Sequence, residues 1–241
     1  MADNASNPSS RPWLLGHRGL RVRDLKRLIS TAPSENSLDA FEYALSQGCD
    51  GFEFDVRHTR DSRNVLWHDP TLNGREIAAT DFAQLTARDG SVLACLEGVL
   101  QQFGHRAYLD IELKAAGREG DIVAALKQHP PQRPYIVSSF LPQILLRLHE
   151  VDDQIPLGYI CEHATLMDRW RDLPVKVFLP RHDLVVPRLV EEVHQHEKQI
   201  MTWTVNSARR MQELANWGVD GLISDDPHLL FRTLGAGLQR E

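Results

Sequence analysis

Residues 51–56 read Gly-Phe-Glu-Phe-Asp-Val, and residues 107–113 read Ala-Tyr-Leu-Asp-Ile-Glu-Leu. Both are short apolar runs interrupted at alternate positions by a carboxylate. Successive side chains on a strand point to opposite faces, so residues two apart share a face. Phe52, Phe54 and Val56 therefore lie on one side and Glu53 and Asp55 on the other. In the second run Ile111 and Leu113 oppose Asp110, Glu112 and the following Lys114. The apolar face needs a covering layer of helices, which leaves the acids pointing into the interior of a closed barrel.

Working outward, six further runs have strand character: 13–16, 135–139, 156–160, 175–179, 200–205 and 220–224. Amphipathic stretches with helical spacing lie between them, at 37–47, 120–128, 142–150, 187–196 and 207–216. Ser37 and Ser207 are placed to cap their helices, and Gly48 and Gly218 to end them. Eight strands alternating with helices predict parallel pairing, right-handed crossovers and a single-domain TIM (β/α)8 barrel. No Gly-x-Gly-x-x-Gly follows a strand, which removes the main support for an open dinucleotide-binding sheet. The connection 57–106 is long, and holds a strand-like piece at 65–68 and expected helices at 81–88 and 92–103. The expected organisation is a disordered lead at 1–12, one barrel over 13–235 and a tail at 236–241.

The chain has 241 residues, 42% of them hydrophobic, and a net charge of −6 with 33 acidic side chains. A general nucleic-acid partner is not expected, because phosphate backbones call for a dense Lys/Arg surface. Cys49, Cys95 and Cys161 lack metal-ligand spacing and read as reduced thiols of a cytoplasmic protein. No apolar run approaches the 18 or so residues of a membrane span. Oligomeric state has no signature here.

The candidate chemistry gathers at strand ends. Buried carboxylates need partners. Glu53, Asp55 and Glu112 offer three hard oxygen ligands suited to a divalent metal, Mg²⁺ or Ca²⁺. The same acids could instead pair with Arg18 and Lys114 in an ion network, or two of them could serve a glycosidase. His17 lies in Gly16-His17-Arg18-Gly19, directly after the first strand, and His68 closes Val65-Leu66-Trp67-His68. Two imidazoles can supply the acid and the base for displacement at phosphorus, and Arg18 a planar fork for its oxygens. The other nine histidines read as ordinary surface or core residues.

Those motifs, in order, resemble the glycerophosphodiester phosphodiesterase family. The set comprises Gly16-His17-Arg18-Gly19, Pro33-Ser34-Glu35-Asn36-Ser37, Glu53-Phe54-Asp55-Val56, His68-Asp69 and Glu112-Leu113-Lys114, closed by Trp203-Thr204-Val205-Asn206 and the segment from Asp220 to Pro227. The resemblance implies a metal-dependent TIM-barrel hydrolase that releases glycerol 3-phosphate and an alcohol from a small glycerophosphodiester. By that resemblance His17 and His68 are general acid and base, and Glu53, Asp55 and Glu112 bind the metal. Arg18 and Lys114 lie at the phosphate, Glu35 supports Arg18, and Trp203 sits at the substrate mouth. The family pattern has the glycerol 2-hydroxyl attack phosphorus, with water opening the cyclic phosphate. A phospholipase-D-like action on lysophospholipids is the alternative, and a phosphate-ester-binding protein without turnover is the reading from another class. Three departures concern substrate choice: a long basic stretch at 20–32, the extra Ser34, and a short Pro70-Thr71-Leu72-Asn73-Gly74 after His68-Asp69.

Overall fold

The alternation expected at 51–56 and 107–113 is present in the computed structural model, which describes residues 11–21, 33–86, 90 and 92–235. In chain order the strands are β1 (Trp13–His17), β2 (Gly51–His58), β3 (Asn64–Leu66), β4 (Thr71–Leu72), β5 (Arg75–Glu76), β6 (Tyr108–Leu113), β7 (Tyr135–Ser139), β8 (Leu157–Cys161), β9 (Val177–Pro180), β10 (Gln199–Thr202) and β11 (Gly221–Ser224). Parallel pairing runs β1-β11-β10-β9-β8-β7-β6-β2, and β2 pairs back onto β1. Eight parallel strands thus close a TIM barrel. The helices are α1 (Leu38–Ser46), α2 (Leu96–Phe103), α3 (Glu119–Gln128), α4 (Pro142–Val151), α5 (Pro187–Gln195), α6 (Ala208–Asn216) and α7 (Pro227–Leu234).

The apolar faces divide the core in two. Phe52, Phe54, Ile111 and Leu113 point outward into the layer shared with the helices, where Phe41 of α1 stacks on Phe52 at 4.1 Å and Phe103 of α2 meets it edge-on at 5.1 Å. Inside the barrel Leu15, Tyr108, Ile136, Val177, Leu179, Met201 and Ile223 form a separate cluster. Above that plug the inward positions turn polar.

Several boundaries differ from the sequence reading. Ser37 does cap α1, accepting from the Ala40 N–H, whereas Ser207 makes no capping bond. The helix expected at 81–88 is one 3-10 turn, Phe82–Gln84, and residues 87–89 lie outside the described set. Phe82 and Leu85 instead join Val65, Leu72, Ile77 and Leu93 in a satellite cluster beside β3, which pairs antiparallel with β2. The expected strand 200–205 stops at Thr202, because Trp203 contributes only an isolated bridge to Arg181. Helix α7 has no counterpart in the sequence reading; its signal is Asp226-Pro227, with Pro227 in the first turn and the Asp226 carboxylate accepting from Leu229 N–H at 2.9 Å. Of the expected lead-in, residues 1–10 lie outside the described set, while Arg11 grips Asp50 at 2.5 and 2.8 Å. The tail 236–241 is likewise outside it.

Gly51 is where β1, β2 and β6 crowd together. A Cβ there would lie 1.9 Å from the Tyr108 carbonyl oxygen, which is backbone and can yield only by moving β6. Gly51→Ala is therefore expected to destabilise the fold by about 1–3 kcal/mol, the usual cost of overpacking. Urea unfolding checks this; an unchanged midpoint would show that the strands part freely.

Candidate active site

Strand register decides which polar groups meet. His17 sits beside Glu53, Glu53 beside Asp110, and Asp55 beside Glu112. One ligand atom from each of Glu53, Asp55 and Glu112 lies within 4.8 Å of the other two, and all three residues are buried. Glu53 and Glu112 line, with His17, Arg18, His68 and Lys114, a cavity of about 670 Å³ at the C-terminal mouth of the barrel, whose wall also includes Trp203, Phe140, Leu141 and Leu166; Asp55 is fully buried and outside that wall.

The turn after β1 is built for this placement. Arg18 has φ 53° and Gly19 φ 76°, so the chain doubles back at once. A Cβ on Gly19 would meet the Ala40 backbone at 2.6 Å. The glycines thus serve the backbone turn itself. The Arg18 N–H donates to Glu53 at 3.0 Å, while its guanidinium donates to Glu35 at 2.9 Å and lies 3.0 Å from Asp55. Glu35 also pairs with Arg21 at 3.2 Å and stands behind Arg18, outside the cavity wall. Lys114 contacts Glu112 and lies 2.8 Å from Asp55. The ion-network alternative is therefore partly realised alongside the convergence of carboxylates.

The charges do not balance. Glu53, Asp55, Asp110 and Glu112 are four buried acids facing two cations, the buried Arg18 and the half-buried Lys114. Burial pushes Asp110 and Glu112 up to about 7, against the opposing pull of Ser138 on the first and Lys114 on the second. Burial and the neighbouring Asp55 raise Glu53 well above the usual carboxylate range. At Asp55 burial pushes the same way, but Lys114 and Arg18 outweigh it and hold the group at about 2. Glu53 Oε1 and Asp110 Oδ2 are buried and accept no hydrogen bond among the described residues. Surplus negative charge, an all-oxygen donor set and an unpaired buried carboxylate oxygen fit a hard divalent cation.

Each imidazole is anchored through Nδ1. His17 Nδ1 lies 2.6 Å from Asp225, leaving Nε2 3.8 Å from Glu53. His68 Nδ1 lies 2.7 Å from Asp69, and Arg57 donates twice to the His68 carbonyl, at 2.8 and 2.6 Å. Burial pushes the His68 ring below its ordinary value, with Asp69 opposing. Trp203 donates its indole N–H to the Leu179 carbonyl at 2.9 Å and meets Phe140 edge-on at 5.3 Å. Barrel packing thus accounts for its orientation, although its surface also lines the cavity. All nine residues singled out from the sequence lie at this end of the barrel. Residues 22–32, the bulk of the basic stretch, are outside the described set.

Against known proteins, the family model described as the glycerophosphoryl diester phosphodiesterase family matches residues 17–89 and 100–229. The chain belongs to this family. A glycerophosphodiester phosphodiesterase of Caldanaerobacter subterraneus is 27% identical over 227 residues, spanning 84% of this chain and 93% of the relative. A namesake from Bacillus altitudinis is 27% identical over 219 residues, or 80% and 89% of the two chains. The fold matches that of a solved phosphodiesterase of the family from Silicibacter pomeroyi, with TM-score 0.81, 22% identity and 96% of each chain covered. It also matches an Oleispira antarctica phosphodiesterase solved in complex with the product sn-glycerol-3-phosphate, with TM-score 0.78, 23% identity, and 92% and 96% coverage.

Three neighbours of the site had been given no role from sequence: Asn36, Asp225, and Asp110, which the alternation had placed inside the barrel. Asn36 takes φ 57°, and its amide brackets Asp55, donating to Oδ2 at 2.7 Å and accepting from its N–H at 3.1 Å. Its presence in Glu35-Asn36 was the available signal. Asn36→Ala would leave buried polar groups unsatisfied and put a Cβ residue without a compensating side chain in the left-handed region. Stability is expected to fall by roughly 1–3 kcal/mol, read from denaturant unfolding; a neutral result would remove the brace from the account.

Proposed function

We propose that this chain hydrolyses glycerophosphodiesters to glycerol 3-phosphate and an alcohol within the cavity at the mouth of the barrel. One observation carries the reading: three buried carboxylates converge beside an arginine and a lysine, with two imidazoles on the same cavity. Family membership and the product held by the Oleispira antarctica neighbour support it.

Glu53, Asp55 and Glu112 would hold a divalent cation, Mg²⁺ or Ca²⁺. When bound, that ion supplies positive charge to the phosphate oxygens and favours the deprotonated hydroxyl. Arg18, steadied from behind by Glu35, and Lys114 orient the anionic oxygens and stabilise charge as it develops. His17 and His68 divide the proton transfers: one ring takes the proton of the attacking hydroxyl, and the other gives a proton to the leaving alcohol. Trp203 and Phe140 shape the wall against which the substrate's organic part lies. The domain reading, one barrel over 13–235, and a cytoplasmic setting complete the proposal; the three free cysteines support that setting. No helix among the described residues is long and apolar enough to cross a membrane.

A second reading, action on lysophospholipids, is favoured by the apolar part of the same wall, formed by Phe140, Leu141, Leu166 and Trp203. Choline release from glycerophosphocholine, compared with release from lysophosphatidylcholine, separates the two.

His17→Gln and His68→Gln are each expected to lower kcat by ~10²-fold or more, and EDTA to abolish turnover; near-wild-type rates in either variant, or full activity in EDTA, would sink that part of the mechanism. Metal binding has an activity-independent sign as well. Carboxyls at 110 and 112 that titrate near 7 when folded bind more protons than the unfolded chain between their ordinary values and 7. Metal-free stability should therefore fall as pH rises through that window. Added Mg²⁺ or Ca²⁺ should raise Tm more at pH 8 than at pH 5.5. An equal shift at both values would argue against Glu112 as a ligand and against Asp110 as a charge that the ion offsets.

A further inference from the structure

The closing motifs of the chain bring Asn206 and Asp225 together behind His17, where the proposed function assigns them no part. Asp225 follows β11 directly, and Asn206 lies beyond the neighbouring β10. One Asp225 carboxylate oxygen lies 2.6 Å from His17 Nδ1, and the other accepts from the Asn206 amide nitrogen at 2.7 Å. The Asn206 side-chain oxygen in turn accepts from the Asp225 N–H at 2.9 Å and from the Ser224 hydroxyl at 3.1 Å. This arrangement leaves no freedom in the orientation of the amide. Turning it over would aim its NH₂ at a backbone N–H and its oxygen at a carboxylate.

We propose that Asn206 and Asp225 form a positioning relay that keeps the neutral His17 ring protonated on Nδ1, so that Nε2 faces the cavity with its lone pair free. The inference rests on the reading of His17 as a proton-transfer group, but the tautomer itself can be observed without any turnover. A carboxylate at 225 only accepts, so the nitrogen facing it must carry the hydrogen. The opposite nitrogen, near Glu53, is then the one able to exchange a proton. Burial tends to raise Asp225, but the contacts from His17 and Asn206 outweigh it and hold the carboxylate below its ordinary range. It is therefore ionised wherever the ring is neutral.

The relay makes an unusual demand on its variants. In Asp225→Asn the fixed Asn206 amide still donates toward the outer position, so the new carboxamide oxygen must sit there. Its NH₂ then faces His17 Nδ1, which can no longer carry a hydrogen, and the ring proton moves to Nε2. Exchanging the two residues, D225N/N206D, reverses this. The carboxylate introduced at position 206 accepts from the carboxamide NH₂ at 225 and also from the backbone N–H and Ser224. The carboxamide oxygen turns to His17, and the Nδ1–H tautomer returns although position 225 has lost its charge.

The test is ¹⁵N NMR of the imidazole nitrogens in full-length protein labelled at histidine, at a pH where the rings are neutral, with His17 assigned by its loss in His17→Gln. Wild type should show a protonated Nδ1, Asp225→Asn a protonated Nε2, and D225N/N206D a protonated Nδ1 again. An Nε2–H ring in wild type, or a tautomer that ignores both substitutions, overturns the relay. In turnover of glycerophosphocholine, Asp225→Asn should lose ~10²–10⁴-fold in kcat with little change in KM, and the exchange should recover most of that loss. Equal losses in both variants at unchanged Tm would mean that the charge rather than the tautomer matters, which overturns the proposal. If wild type shows the predicted tautomer but releases no product from any glycerophosphodiester, the relay stands and the proposed activity fails.

Discussion

Lys114 reaches Asp55 and Glu112 together, and Arg18 reaches Asp55 from the other side. Those ion pairs are what allow the barrel to keep carboxylates where solvent cannot screen them. Removing one partner of a buried ion pair costs about 3–5 kcal/mol, because the orphaned charge remains desolvated. The rest of the mouth is arranged around this constraint. The β1 turn aims both the backbone N–H and the guanidinium of Arg18 at acids, and Asn36 commits both ends of its amide to Asp55. Even so, two cations leave four acids incompletely matched. A site strained in that way is suited to a doubly charged ligand.

The same local chemistry treats neighbouring acids very differently. Asp55 has two cations and an amide and is held at about 2. Glu112, its register partner on β6, is served mainly by Lys114 and is pushed to about 7. Both are buried, so the partners decide. This separates an acid that is always ionised from acids whose charge depends on what occupies the cavity.

Much of this was legible in the sequence, for a physical reason. Period-two alternation of Phe, Glu, Phe and Asp at 52–55 reports directly on which face meets helices and which meets the interior, and parallel closure then forces the strand ends together. The residues that escaped notice act through geometry with no periodic signature. The Asp225 carboxylate meets His17 across 208 positions of chain, and only closure of β11 against β1 makes them neighbours. Ser207 looked like a cap and is not one, since a serine before a helix is compatible with capping but does not compel it. At 81–88 too few apolar residues recur to hold a helix on a core, and Phe82 and Leu85 went to a satellite cluster instead.

The two ends of the stretch at 20–32 are held by backbone as well as by Glu35, which pairs with both Arg18 and Arg21. Asn36 N–H donates to the Arg18 carbonyl at 3.0 Å, and Arg21 N–H donates to the Asp225 carbonyl at 3.1 Å. Between two points fixed in this way, the entropy of closing a flexible connection grows by only ~0.6 kcal/mol for each doubling of its length. The anchoring of Arg18, Glu35 and Asn36 thus depends on contacts made at the ends of that stretch, and selectivity becomes a trait that can drift while the chemistry stays still.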